Sequence, residues 1–502
     1  MRSAFAFVAL IVFLPLGAAA DAQNNFLVSV YADFNTPPQS IRYELLDGLV
    51  LYFINPVNGC SGFEQTVFPN VQDIVLNARL HEEKGHPIIV TFSIGGGGND
   101  AVNTLLESIA SSADCRQQFA SQVAAILADN DLDGVDLDWE FPKTTSLGNY
   151  TLLVQALREA IGTKLLSIAI YNDAGKEDPA NHLTPDVFPY VDYYLVMAYL
   201  APRNAAIDGW INPPWNLPES KLRLGLAFFG NSDKGPSAYN QVLGTVPASE
   251  ASPCGDRVGI YTINGLRTTG ELTRFAMTEG LGGITGWQLG QDRTDNISLL
   301  NVTSETSRMW DGFAQWQAGT AYSAGTVLQY QGNLWWATSS ASPTGPPPSL
   351  TNPAYKQFEP LNEFSAQDYY CGGDEIWFNG TVYRADEDPP LSITDQSPTA
   401  TPSLWQKLYS VPLYDDTKTY KKSARVFFNH SVYVANKRTR GQSPAEAPAS
   451  WSPFVDTQAF DPVKSYASGA NVRYMGNDYV ALESSVGANP VVATDSWAPV
   501  KK

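Results

Sequence analysis

A chain of 502 residues is longer than one hydrophobic core comfortably serves, so two or more cores are required. Hydrophobic residues at 44% and charged residues at 17% describe a globular protein, and an aromatic share of 12% supplies surfaces that stack on flat apolar ligand faces such as those of sugars. A formal net charge of −19 excludes nucleic acid and anionic membrane, neither of which gains from counterion release against an acidic partner; a neutral or cationic partner remains.

The chain opens with Arg2, an apolar run from Ala4 to Leu16 and the small residues Gly17-Ala18-Ala19-Ala20, the order of a secretory signal and its cleavage site. Residues 1–20 are read as this signal, and the product as a secreted, extracellular monomer. No later stretch reaches the roughly 18 apolar residues of a membrane span. Cys60, Cys115, Cys254 and Cys371 fit an oxidising compartment; four cysteines allow three pairings, and Cys60 with Cys115 is preferred. Sequons stand at Asn149, Asn296, Asn301, Asn379 and Asn429.

From Phe26, short β-rich runs alternate with longer helix-compatible segments, the pattern of repeated βα units around a parallel sheet. Eight strands are predicted: Leu27–Ala32, Gly48–Ile54, Pro87–Ser93, Gly134–Glu140, Lys164–Tyr171, Tyr193–Tyr199, Arg223–Phe229 and Gly283–Leu289. Eight strands between residues 21 and 310 match an α/β (β/α)8 TIM barrel, which gathers catalytic groups at its strands' C-terminal ends. A doubly wound sheet is the alternative, but no Gly-rich phosphate loop with a ribose-binding acid follows the first strand.

The third strand runs into Ser93-Ile94-Gly95-Gly96-Gly97-Gly98, which lacks the Lys and Ser/Thr of a phosphate loop and reads as a tight turn beside the fourth strand. That fourth strand, within DLDGVDLDWE, sets Asp136, Asp138 and Glu140 at i, i+2 and i+4, all on one face if extended. Val135, Leu137 and Trp139 take the other face, to be covered by helices. Three like charges in a cavity suit proton transfer to a leaving group; a solvated edge strand or a divalent-cation site is the bland alternative. Met197 and Tyr199 share a face at the end of strand six, and Trp287 on strand eight can floor a sugar ring.

Asp133-Gly134-Val135-Asp136-Leu137-Asp138-Trp139-Glu140 resembles the DGxDxDxE signature of glycoside hydrolase family 18, the chitinase family, and Ser93-Ile94-Gly95-Gly96 resembles its SxGG motif. Met197-Ala198-Tyr199, Leu224 to Gly230 and Gly282 to Trp287 extend the likeness from Phe26 to about Leu300. The resemblance implies a retaining hydrolysis of chitin or chitooligosaccharides in which Glu140 is the acid and the substrate's acetamido oxygen the nucleophile, an exception to the two-carboxylate scheme. It makes Asp138 the acetamido partner, Asp136 the group sharing a proton with Asp138, Tyr199 a donor to the acetamido oxygen, and Trp287, Met197, Tyr31, Phe53 and Gly96 substrate-binding residues. No metal or cofactor is implied. Alternatives sharing the signature are an endo-β-N-acetylglucosaminidase acting on N-glycans and a chitin-binding lectin with little turnover. Leu200 departs from the acid that many members carry after the strand-six tyrosine. About 53 residues separate strands seven and eight, too few for the insertion that deepens the cleft in exo-acting relatives, so an open cleft and endo cleavage are expected.

After Trp310 the periodicity changes. Trp316, Phe364, Tyr414 and Phe460 recur at spacings of 48, 50 and 46, followed in each copy by a tyrosine six residues on and a closing Tyr355, Trp405, Trp451 or Trp497. Four small all-β tandem modules are predicted at 311–360, 361–411, 412–457 and 458–502. They resemble the chitin-binding modules of carbohydrate-binding families 5 and 12. The stacking pair is clear in the first copy alone, at Trp335-Trp336, whose second tryptophan is replaced by Arg384, Val434 and Val480. Multivalent binding to a crystalline polysaccharide is the functional reading; a stalk or packing role is the alternative.

Overall fold

The computed structural model describes residues 26–499 apart from 83–84, 173–182, 201–202, 214, 309–312, 324–325, 339–344, 350–351, 353, 359–360, 430, 445–446, 448, 455–464, 467, 469, 475–476 and 487–494. The signal segment at 1–20 lies outside the described residues.

Eight parallel strands close on themselves: β1 (Leu27–Asp33), β2 (Gly48–Tyr52), β3 (Ile89–Gly95), β4 (Gly134–Asp138), β5 (Leu165–Tyr171), β6 (Tyr193–Met197), β7 (Leu222–Ala227) and β8 (Gly283–Trp287), with β8 pairing back to β1. Alternation explains the two layers. Val28, Val30, Leu49, Leu51, Phe92, Ile94, Val135 and Leu137 point outward and are fully or nearly fully buried under helices. Tyr31, Val50, Ala169, Tyr193 and Leu195 point inward and fill the barrel. The covering helices are α1 (Pro69–Glu82), α2 (Asp100–Ser111), α3 (Ala113–Asp129), α4 (Leu147–Ile161), α5 (Arg203–Ile211), the short α6 (Tyr239–Val242), α7 (Leu266–Thr278) and α8 (Leu299–Arg308). Side-chain caps start α2 and α3, where Asn99 accepts from the Val102 N–H at 3.2 Å and Ser112 from the Cys115 N–H at 3.4 Å.

Most strand ends shift by one or two residues from expectation, and two of these shifts bear on the acid row and its tyrosine. β4 leaves the ladder at Asp138, so Glu140 sits in the following bend, its carbonyl held by the Asn103 amide at 2.9 Å. β6 stops at Met197 because the Ala198 N–H turns back to the Val196 carbonyl at 2.7 Å, and Leu200 then adopts a φ of 56°. Between β7 and β8 the chain forms only α6, α7 and two short hairpins, Phe229–Gly230 with Ser237–Ala238 and Arg257–Val258 with Tyr261–Thr262. The preferred Cys60–Cys115 disulfide is present, with a second at Cys254–Cys371. No helix among the described residues is long and apolar enough to cross a membrane.

Beyond the barrel, the described residues form four successive three-stranded antiparallel meanders, the first two extended by a short parallel strand, Ala314–Gln315 and Asn362–Glu363. The meanders are Val327–Tyr330, Asn333–Ala337 and Tyr355–Phe358; Glu375–Phe378, Thr381–Ala385 and Trp405–Ser410; Arg425–Phe428, Ser431–Ala435 and Trp451–Pro453; and Asn471–Tyr474, Asn477–Ala481 and Trp497–Pro499. The repeated aromatics are their cores. In three copies a tyrosine hydroxyl accepts the backbone N–H five residues earlier at 2.7 Å: Tyr322 from Gln317, Tyr370 from Ser365 and Tyr420 from Asp415. The closing tryptophans meet these tyrosines edge-on, with Tyr370–Trp405, Tyr420–Trp451 and Tyr466–Trp497 centroids at 5.6, 5.3 and 5.3 Å.

The second meander is fastened to the barrel. Cys371 bonds Cys254 in the β7–β8 connection, Arg267 of α7 pairs with Asp388, and the Leu391 and Ser392 N–H groups donate to the Ala251 and Ala248 carbonyls at 2.9 and 3.0 Å. Trp377 in turn stacks on Phe427 of the third meander, centroids 4.6 Å apart and planes within 4°. Replacing Cys254 and Cys371 together by serine is expected to remove about 2–4 kcal/mol from this attachment. Hydrogen exchange will then quicken in peptides covering residues 361–411 while barrel strands stay protected; unchanged exchange there would show that the polar contacts suffice.

Candidate active site

Strand β4 sends Asp136 and Asp138 into the barrel, where they are 0% and 4% exposed. A carboxylate at such a site needs donors in place of water. Asp136 has three, from three different strands. The Tyr31 and Ser93 hydroxyls donate to Oδ2 at 3.0 and 2.7 Å, and the Ser167 hydroxyl donates to Oδ1 at 2.7 Å. Burial pushes the Asp136 pKa up; the hydroxyls of Ser167, Ser93 and Tyr31 and the charge of Arg223 oppose that rise.

Asp138 is treated differently. Its Oδ1 is buried and accepts no hydrogen bond from the described residues, and its carboxyl group is hydrogen-bonded to Glu140. Burial first, then the charges of Glu140 and Asp136, push its pKa well above the usual carboxylate range. Glu140, half-buried at the mouth, is also raised by burial, against the hydrogen bonds it receives from Asp138 and the Gly97 N–H. Two neighbouring carboxyl groups whose pKa values are both raised titrate as a pair.

The glycines after Ser93 allow this proximity. A Cβ on Gly95, which has a φ of 122°, would lie 1.9 Å from the Asp138 carbonyl oxygen. On Gly97 it would lie 3.0 Å from both Glu140 carboxylate oxygens. The Gly96 N–H donates to the Asp138 carbonyl at 2.7 Å, and its α-carbon backs onto the Phe53 ring.

Aromatic rings wall one side of the mouth. Trp287 lies 5.0 Å from Tyr31, 4.8 Å from Tyr52 and 5.8 Å from Phe53, ring centroid to centroid, and Met197 packs in the same inner layer. Tyr199 is half-buried, edge-on to Phe229 at 5.7 Å. Burial and the charges of Asp138, Glu140 and Asp136 push its pKa well above 10, so it remains a phenol and a donor. The fold therefore brings Asp136, Asp138, Glu140, Tyr199, Tyr31, Phe53, Gly96, Met197 and Trp287 to one end of the barrel.

Sequence reasoning missed Ser167, Tyr52 and Arg223. Each had a signal: a lone polar residue inside Leu165-Leu166-Ser167-Ile168, an aromatic two residues before Ile54, and a charged residue inside Leu222-Arg223-Leu224. Inward parity on a barrel strand is what gives those positions meaning. In the first meander, Trp335 is only 5% exposed, packed with Leu328, Ala337 and Tyr355 and donating to the Tyr330 carbonyl at 3.3 Å, so its faces are taken up by the module core. Trp336 is more exposed and packs beside Phe313, Val327 and Leu334. The residue replacing it in the second meander, Arg384, pairs with Glu375.

Several known proteins are similar to this chain. A class V chitinase of Medicago truncatula is 26% identical over 279 residues, covering 42% of this chain and 72% of that protein. An endochitinase of Metarhizium anisopliae is 26% identical over 296 residues, covering 47% and 69%. A crystal structure of a Rhizomucor miehei chitinase aligns with a TM-score of 0.47 and 22% identity, over 55% of this chain and 99% of that one. The sequence model described as glycosyl hydrolases family 18 matches residues 30–292, more than half of the chain. The chain is therefore a member of glycosyl hydrolase family 18, with its barrel carrying the family match.

Proposed function

We propose that the chain is a secreted chitinase that cleaves β-1,4 bonds within chains of N-acetylglucosamine, using the substrate's own acetamido group as nucleophile. The observation that carries this reading is the neighbouring Asp138–Glu140 carboxyl pair at the mouth of β4, both members of which burial raises. A raised pKa favours the protonated acid, as protonation of a leaving glycosidic oxygen requires. Glu140, the more exposed of the two, delivers that proton. Asp138 binds the acetamido N–H and stabilises the positive oxazolinium-like intermediate as the acetamido oxygen attacks the anomeric carbon. Tyr199 donates to that oxygen, and Trp287 floors the reacting ring. Glu140, now a carboxylate, takes a proton from the incoming water, which opens the intermediate with retained configuration.

Asp136 has a narrower part than a proton relay. Both of its oxygens already accept hydroxyl hydrogen bonds, so the mobile proton belongs to Asp138 and Glu140, and Asp136 acts as a fixed charge behind them. The short β7–β8 connection supports an open cleft and endo cleavage. Division at residue 310 into a catalytic barrel and four modules follows the change from helices to meanders, with Trp336 as the ligand-stacking ring of the first module. Of the sequons, Asn296, Asn379 and Asn429 are exposed, whereas the Asn301 amide is engaged by Arg42 at 2.6 Å. Two exposed sequons in the modules support glycosylation there.

Glu140→Gln is expected to lower release of chitooligosaccharides by about 10²–10⁴-fold with the fold intact; retained turnover sinks the assignment of the acid, and loss of soluble-chitin hydrolysis in the parent protein would favour the N-glycan or lectin readings. Asp138→Asn tests the raised pKa of Asp138. Because burial raises the Asp138 pKa in the folded state, the native protein binds more protons than the unfolded chain above about pH 4, and stability falls as pH rises through that window. The asparagine variant escapes this loss, so its melting temperature should exceed the parent's by about 2–4 °C near pH 8 and match it near pH 4; a gap that does not change with pH would exclude a raised Asp138. For the modules, truncation at residue 310 leaves Cys254 without its partner, so a point variant is cleaner. Trp336→Ala should weaken sedimentation with crystalline chitin severalfold and leave hydrolysis of short soluble oligomers unchanged; full binding would remove Trp336 from the binding role.

A further inference from the structure

A buried cation occupies the barrel interior below the acid row. On β7 the residues Leu222, Leu224 and Leu226 face the helices, so Arg223 faces inward, and it is 6% exposed. Its guanidinium carbon lies 3.6 Å over the Tyr193 ring centroid, and Nη1 is 3.3 Å from the Ser29 hydroxyl. Space for that hydroxyl depends on the neighbouring strand, since a Cβ on Gly48 would come within 2.7 Å of the Ser29 oxygen. Among the described residues Arg223 forms no ion pair. A guanidinium does not give up its proton, and an uncompensated charge inside a protein is costly. Something else in the barrel must balance it.

The titratable and charged groups whose electrostatics involve Asp136 are Asp138 on β4, Tyr31 from β1, Tyr199 after β6, Tyr150 from α4 and Arg223 from β7, with Glu140 coupled through Asp138. Every one except Arg223 is an acid. Asp136, wrapped by three hydroxyl donors against the upward push of burial, is the carboxylate best solvated as an anion, and Arg223 stands over Tyr193, the β6 residue in register with the Ser167 that donates to Asp136. We propose that Arg223 is a positioning residue for the reaction: a buried cation, held by Tyr193 and Ser29 rather than by a carboxylate, that keeps Asp136 ionised and thereby confines the exchangeable proton to Asp138 and Glu140. The catalytic part of this inference rests on the chitinase reading above. The electrostatic part does not.

Two variants separate charge from packing: Arg223→Gln, which keeps a polar side chain beside Ser29, and Arg223→Lys, which keeps the charge. Removing the cation makes Asp136 easier to protonate, so the acidic limb of kcat/KM on a soluble chitooligosaccharide should move to higher pH by about half to one unit, smaller than the 1–3 units of a cation in direct contact. The lysine variant should restore the parent's limb. A merely structural plug would lower activity equally at every pH, and a limb for Arg223→Gln that coincides with the parent's overturns the proposal. A second readout needs no substrate and stands if the chitinase reading fails. In a denaturation cycle at pH 7 with Arg223→Gln, Asp136→Asn and the double variant, the double variant should lose less stability than the sum of the single losses. Additive losses overturn the pairing.

Discussion

Three carboxyl groups from one short segment cannot all be ionised inside a barrel, and the architecture depends on how their charge is divided. Asp136 and Asp138 are two residues apart on the same face of β4, both almost fully buried, yet their surroundings are opposite. Asp136 is enclosed by hydroxyls from β1, β3 and β5, with Arg223 acting on it from β7. Asp138 has an oxygen that no described donor reaches, and it is joined to Glu140. Hydroxyl donors oppose the rise that burial imposes on the first, and neighbouring charges add to it at the second. A closed barrel is suited to this, because donors from several strands converge on the axis and none competes for backbone hydrogen bonds.

The same logic accounts for the glycines beside the row. Each carboxyl group needs its own company of donors, so neighbouring backbone must come close without adding side chains of its own. Gly95 and Gly97 let β3 approach the backbone of Asp138 and the carboxylate of Glu140, and the Gly97 N–H becomes a donor to the latter. Stability is given up in the process, because an isolated anion elsewhere in the core would be better paired. The cost falls most heavily on Asp138, whose pKa is raised furthest and whose Oδ1 no described donor reaches.

Much of the barrel was legible in the chain. Apolar strands with polar interruptions at inward parity, spaced by helical segments, identify the strands and their order, and the alternating acids identify the face of β4 that matters. Strand ends were less legible: β4 stops short of Glu140 and β6 short of Tyr199 because of hydrogen bonds made by Asn103 and Ala198 that no local pattern encodes. Ser167 and Arg223 were invisible for a related reason. A serine in an apolar strand or an arginine between leucines gains its role from residues more than thirty positions away, and only the closed sheet brings those together. The Cys254–Cys371 link had the same character, since it joins the barrel to the second meander across 117 residues.

The repeated aromatics of the C-terminal region were legible as a period, but their purpose was not. Tyr370 and Tyr420 each receive the same backbone N–H and meet the same closing tryptophan, so the repeating positions preserve a way of folding a very small sheet. Positions outside that skeleton, such as 336, 384, 434 and 480, carry tryptophan, arginine, valine and valine in the four copies. Repetition thus yields copies that share an internal skeleton while their outward chemistry differs, so likeness among them reports how each small sheet is folded and carries no information on what its surface meets.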